Sequence, residues 1–169
     1  MRSMRSMRIR SILTLLVCTT LFCGCSRAQF ADDIPCDNIV DTMLSTLDDG
    51  EEYKEFDSAQ RTFYFEDSDE ADDYCLVYSL DTNDINEIGI FHASDSDSAK
   101  DIAEDCREYV ENMQQNSRAF IASYAPEELT KLDGAQVRVY GNYVIYAILP
   151  PTQAEAVFDA AEKVLLIYQ

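Results

Sequence analysis

The chain has 169 residues, with 13 Lys and Arg against 32 Asp and Glu and a formal net charge of −19. So acidic a surface repels phosphate backbones and anionic headgroups, which excludes a nucleic-acid-binding role. Its plain reading is solubility, and what it attracts is cations and basic partners.

Arg2, Arg5, Arg8 and Arg10 open the chain, and an uncharged apolar run follows over residues 11–22. This is the layout of an export signal. The run is about a dozen residues where a membrane-spanning helix needs roughly 20, so a signal is expected rather than a span. It ends in Leu21-Phe22-Cys23-Gly24-Cys25, a small residue directly before a cysteine, which resembles a bacterial lipobox. Cys23 departs from that pattern, since Ala, Ser or Thr is usual there. Cleavage between Gly24 and Cys25 leaves Cys25 to carry diacylglycerol, and two acyl chains hold a protein on a bilayer where one does so only marginally. Ordinary cleavage without lipidation is the competing reading. The expected location is the extracytoplasmic face of the cell membrane, with the membrane itself as a partner through the lipid on Cys25. With residues 1–24 removed, 169 less 24 leaves 145 residues, enough for one domain with its own core. Four arginines leave with the signal, so nine basic residues then face 32 acidic ones.

Residues 25–34 read as a lipidated tether and residues 35–169 as a single domain. Pro35 suits a first helical turn, and Ile39, Val40, Met43, Leu44 and Leu47 follow at helical spacing until Asp48-Asp49-Gly50. Residues 51–73 are acidic with apolar islands at Phe56, Phe63 and Phe65, and a short helix is placed over 58–65. Residues 74–80 and 85–93 are β-branched and aromatic, with Asp81-Thr82-Asn83-Asp84 as turn chemistry between them, which predicts a hairpin. Over 96–115, Ala99, Ile102, Ala103, Cys106, Tyr109, Val110 and Met113 recur at three-and-four spacing, the pattern of an amphipathic helix. Residues 125–129 predict a brief helical turn opened by Pro126 and ended by Asp133-Gly134. A second hairpin is predicted over 137–140 and 143–149 around Gly141-Asn142, a loop that tolerates positive φ. Thr152 and Glu155 predict a capping box for a last helix with Ala154, Val157, Phe158, Ala161, Val164 and Leu165 as its buried stripe.

The order α-ββα-ββα predicts an α+β two-layer sandwich, a four-stranded, mainly antiparallel sheet with helices on one face and the other face open. Cys18 and Cys23 leave with the signal and Cys25 is assigned to lipid, so Cys36, Cys75 and Cys106 remain. An odd count permits at most one disulfide, for which Cys75 with Cys106 is the pair to test; buried free thiols are the other state.

Chemistry is thinly supplied. A nucleophile activated by histidine has only His92 to draw on, with no Gly-x-Ser-x-Gly turn, and no serine stands three residues before a lysine. His92 therefore reads as structural. One histidine and scattered cysteines do not make a transition-metal set. Asp67 and Asp95 begin Asp-x-Asp runs, but the glycine and closing glutamate of a calcium loop are not at their offsets. No catalytic residue, metal ligand or cofactor is assigned. Tyr74 and Tyr78 on the first hairpin and Tyr143 on the second, together with Glu87 before an apolar strand core, form the candidate binding surface; core packing, capping and hairpin pairing compete for these residues.

Asp73-Tyr74-Cys75-Leu76-Val77-Tyr78, Asn86-Glu87-Ile88-Gly89-Ile90-Phe91, Tyr124-Ala125-Pro126 with Glu128, and Gly141-Asn142-Tyr143-Val144 resemble the family of domain of unknown function 4358, small lipoproteins of Gram-positive anaerobes. The resemblance spans about residues 35–165 and implies an exported, lipid-anchored domain, with no catalytic residue to carry over. The expected function is a non-enzymatic binding or accessory module at the cell envelope, engaging a protein or cell-wall partner. The alternative is a hydrolase or metal-dependent enzyme whose carboxylates come from distant positions.

Overall fold

A computed structural model describes residues 29–47, 50–65 and 71–167. In chain order these form β1 (Gln29–Phe30), α1 (Cys36–Leu44), β2 (Tyr53–Glu55), α2 (Ser58–Tyr64), β3 (Ala71–Ser79), β4 (Glu87–Ala93) and α3 (Ser96–Asn112). A π-helical segment (Met113–Ser117), α4 (Arg118–Tyr124), a 3-10 turn (Pro126–Glu128), α5 (Leu129–Asp133), β5 (Gln136–Tyr140), β6 (Tyr143–Ile148), α6 (Pro151–Leu165) and β7 (Leu166–Ile167) follow. The expected signal peptide with Gly24 and Cys25 lies outside the described residues, as does the acidic run 66–70 with Asp67. Among the described residues, no helix is long and apolar enough to cross a membrane.

Both predicted hairpins form. β3 pairs antiparallel with β4, Tyr78 opposite Glu87 and Cys75 opposite Ile90. β5 pairs with β6 around Gly141-Asn142, where Gly141 has φ +63°. A Cβ there would also stand 3.2 Å from Cβ of Phe30, so glycine serves both the turn and the close approach of the N-terminal strand. β4 and β6 pair antiparallel and join the hairpins into one sheet of order β2-β3-β4-β6-β5. The sheet thus has five strands where the sequence predicts four. The additional one, β2, is a three-residue edge strand carrying Lys54 and Glu55, too short and too charged to show alternation.

The open sheet face does not exist. β6 is buried along its whole length, which happens only when both faces are covered. Cys75, Val77, Ile88, Ile90, Ile145 and Ala147 face α1 and α6. Leu76, Phe91, Val144, Tyr146 and Ile148 face α3, Phe56 and Phe65. The arrangement is helix layer, sheet, helix layer, because each hairpin strand of the centre carries apolar residues at odd and even positions alike. Burying one such Ile or Phe side chain stabilises by about 1.5–3 kcal/mol, and substantial cores on both sides make the sheet interior rather than surface.

Residues from Gln29 on are docked, although they were expected within the tether. β1 pairs with β7, Ala31 N–H donates to Leu165 O at 2.7 Å, and the Tyr143 hydroxyl both accepts from Ile34 N and donates to Ile34 O. His92 Nε2 lies 2.9 Å from Asp32 Oδ1, and its ring packs on Tyr143 at 4.5 Å, so the lone histidine fastens this segment.

Helix ends follow local chemistry with two departures. Asp95 caps α3 by accepting from Asp97 N and Ser98 N, and those backbone bonds hold its carboxyl below the usual range. Asp57 and Gln60 form a reciprocal capping box on α2. The predicted box on the last helix does not form: α6 starts at Pro151 after Pro150, and Glu155 turns instead to Arg138 and Gln136. The helix expected to end near Gln115 runs on through the π segment into α4, until Ala125-Pro126 stops it. Cys36, Cys75 and Cys106 are buried free thiols. Cys75 and Cys106 lie on opposite faces of the sheet, so the pair named from the sequence is not made.

Candidate functional site

On strand β4, Glu87, Gly89 and Phe91 point to the α3 side. Gly89 stands opposite Tyr146 of β6, and a Cβ on Gly89 would come within 2.0 Å of the Tyr146 ring. The missing side chain is a notch in which that ring lies flat across the strand. Its hydroxyl thereby reaches two pairs further along and donates to Glu87 Oε1 at 2.5 Å. From α3, one turn after Cys106, the Tyr109 hydroxyl donates to Glu87 Oε2 at 3.1 Å. Phe65 closes the cluster, its ring 4.8 Å from Tyr109 and 5.6 Å from Tyr146. Glu87 is only 8 % exposed. Loss of solvent raises its carboxyl to about 7, against the pull of the two tyrosine hydroxyls, which favour the ionised form. Burial and the neighbouring Glu87 push both phenols upward.

Around Tyr109 the surface is concave. A cleft of about 410 Å³ runs between α2 and α3, bounded by Phe63 and Tyr64 on one side and by Glu108, Asn112 and Asn116 on the other. A smaller depression of about 250 Å³ shares Tyr64, Tyr109 and Met113 with it and reaches Tyr78, Asn86 and Glu87. The π segment contributes Met113, Asn116 and Ser117 to the larger cleft; a π turn is a feature often found at functional positions. Phe63 is 80 % exposed and Tyr64 45 %, their rings packed edge to face at 5.0 Å.

At the end of the β3–β4 hairpin a polar cluster braces the smaller depression. Lys131 Nζ lies 2.7 Å from Asp84 Oδ2 and 2.8 Å from Glu128 Oε2, all three side chains mostly buried. Burial pulls the ammonium down, and the bonds to the two carboxylates outweigh it, leaving Lys131 raised overall. Glu128 also accepts from Ile85 N, and Asn86 Nδ2 donates to Glu51 Oε2 and Tyr53 Oη. Burial, followed by a hydrogen bond shared with Asp84, raises the Glu51 carboxyl. Among the described residues, no group of three or more His, Cys, Asp or Glu is placed to hold a metal ion.

The four residues picked from the sequence separate into three places. Tyr78 and Glu87 are direct cross-strand partners and both border the smaller depression. Tyr74 lies further along β3, half-buried, with its ring near Phe91 and the Arg61 guanidinium 4.6 Å above it. Tyr143 is on the opposite face, 1 % exposed, and holds Ile34. Tyr64, Tyr109 and Tyr146 were not picked. The alternation that puts Glu87 and Gly89 on one face signals a carboxyl beside a ring-sized notch, but which ring fills it depends on the β4–β6 register.

Residues 45–149 match the profile of a protein family described as Domain of unknown function (DUF4358). The matched span runs from just after α1 through β6, so it contains the cleft and the whole five-stranded sheet, while α1 and α6 fall outside it. No curated protein and no solved structure matches the chain.

Proposed function

The chain belongs to the DUF4358 family, and because that membership brings no activity with it, we propose that the protein is a lipid-anchored binding or accessory module on the extracytoplasmic face of the cell membrane. Its anchor is the diacylated Cys25 left by cleavage after Gly24, and its ligand seat is the cleft between α2 and α3. One observation carries the choice of a binder: the rings of Phe63 and Tyr64 stand exposed along the cleft, while Glu87, the buried carboxyl bonded to the cleft's Tyr109, has both oxygens occupied by tyrosine hydroxyls. A preformed aromatic wall with few oriented polar groups is what recognition requires.

The alternative is a carboxylate-based hydrolase or metal-dependent enzyme, and it draws on the Glu87 carboxyl lying near 7, a value suited to proton transfer. Against it, a general acid must reach the substrate's proton, and Glu87 is 8 % exposed with both oxygens engaged.

The test is a photo-crosslinking residue placed at position 63, with Val139, exposed on β5, as the control position. In intact cells, position 63 should give discrete crosslinked products that position 139 does not. Equal products from both positions would remove the binding reading. Cys25→Ala should release the protein from membranes into the soluble fraction; a variant as membrane-bound as the wild type would sink the anchor assignment.

A further inference from the structure

Resting on the anchor at Cys25, we infer that the β1–β7 end of the domain is its membrane face, held against zwitterionic lipid headgroups, and that the cleft at Tyr109 stands away from the bilayer. The first support is a length. Ten residues of free chain, from Cys25 to Pro35, would let the domain stand about 35 Å off the lipid. The chain is instead fixed from Gln29 on, so only Ser26, Arg27 and Ala28 separate the lipid-bearing residue from the folded domain. From Cys25 to Gln29 the chain reaches at most about 14 Å, and the headgroup layer itself takes up about 5–8 Å of that. Less than the diameter of one α-helix, about 10 Å, is left between the headgroups and the domain.

The fastening is spread over several contacts, so the tether does not lengthen when one of them breaks. Beyond the β1–β7 pairing, Phe30 packs edge to face on Tyr140 at 5.5 Å, Asp32 accepts from Asn142 Nδ2 at 3.0 Å, and Tyr143 holds Ile34. These partners flank the β5–β6 turn, and His92, which also meets Asp32, ends β4 beside it, so the segment lies at one end of the sheet. Glu87 is five positions back along β4, about 17 Å toward the other end. α3 begins four residues after His92 and returns along the sheet to bring Tyr109 to Glu87. Most of the length of a strand therefore separates the anchored end from the cleft. Charge selects the kind of lipid. Asp32, Asp33 and Asp37 are exposed at the anchored end, where carboxylates repel anionic headgroups, while Ile167, paired with Gln29, is 47 % exposed. The tether imposes the contact, and a surface without net charge accepts it.

The experiment uses the mature protein purified from membranes of expressing cells and placed in phosphatidylcholine vesicles that carry a nitroxide on the headgroup. A bimane fluorophore is attached at Asp33→Cys, near the anchor, or at Thr82→Cys, exposed in the β3–β4 turn at the far end. Cys36, Cys75 and Cys106 are buried, so the introduced thiol is the one labelled. Quenching at position 33 should exceed that at position 82 by at least about three-fold. An insert of about sixteen Gly and Ser residues between Arg27 and Ala28, adding about 20 Å of flexible chain, should lower quenching at position 33 by at least about two-fold. Equal quenching at the two positions, or quenching at position 33 that ignores the insert, overturns the inference. Stronger quenching at position 33 in vesicles containing phosphatidylglycerol than in pure phosphatidylcholine overturns the assignment to a zwitterionic surface. Flotation of the same samples keeps the two readings apart: protein left behind by the vesicles removes the anchor itself, whereas protein that floats and is quenched equally at both positions removes only the orientation.

Discussion

Replacing Glu87 with glutamine keeps the shape of the side chain and removes its ability to ionise. In the folded protein, burial raises this carboxyl from an ordinary value of 4.5 to about 7, so the native state holds the proton more firmly than the unfolded chain does. The associated stability is fully present below 4.5 and is lost as pH rises through 7, where the buried group must carry a charge. The gap corresponds to about 3 kcal/mol. Urea unfolding of both forms, repeated at half-unit steps from pH 4.5 to 8, isolates this group because every other carboxylate is common to the two. The wild type should lose about 3 kcal/mol relative to Glu87→Gln across that window, with the steepest change midway between 4.5 and 7 and a levelling off above 7. The tyrosine hydroxyls remain able to donate to the glutamine oxygen, so the curves should lie closest at the acid end. A difference between the two proteins that stays constant with pH would refute the reasoning, because it would mean that the carboxyl titrates in the folded state as it does in the unfolded chain.

Gly89→Ala places a methyl group into the Tyr146 ring, which cannot move aside without leaving Glu87; equilibrium denaturation should register a loss of about 3 kcal/mol, and a loss under about 0.5 kcal/mol would show that the ring is not seated there. Cys36, Cys75 and Cys106 are buried, and burial pushes the Cys75 thiol up to about 12. A disulfide-exchange reagent at pH 8 should find all three silent in the native protein and all three reactive in denaturant; prompt reaction of any one without denaturant would contradict the packing.

Much of the secondary structure was legible because it is local. Apolar three-and-four spacing marked α3, and turn residues between β-branched runs marked both hairpins. The capping box at Thr152 misled because it competes with Pro150-Pro151, which start the helix without a side-chain cap and free Glu155 for Arg138. The continuation through the π segment into α4 escaped because a π turn shifts the phase of the pattern, so Ile121 reads as isolated. The tyrosines of the candidate surface were ambiguous by nature: alternation says that Tyr143 and Tyr78 each leave a strand on some face, but not what covers that face.

The four hairpin strands, their turns, the principal helix and the strongly acidic balance follow from the sequence alone, since each depends on neighbours within a turn or a few residues. Tertiary structure alone decided that β4 pairs with β6, that helices cover both faces of the sheet, and that Glu87 meets Tyr109 and Tyr146. Those partners are 22 and 59 residues away in the chain, and the carboxyl's high proton affinity comes from the solvent they exclude. Periodicity carries no record of such distant exclusion, because a residue's own spacing is the same whether its partner is a water molecule or a tyrosine.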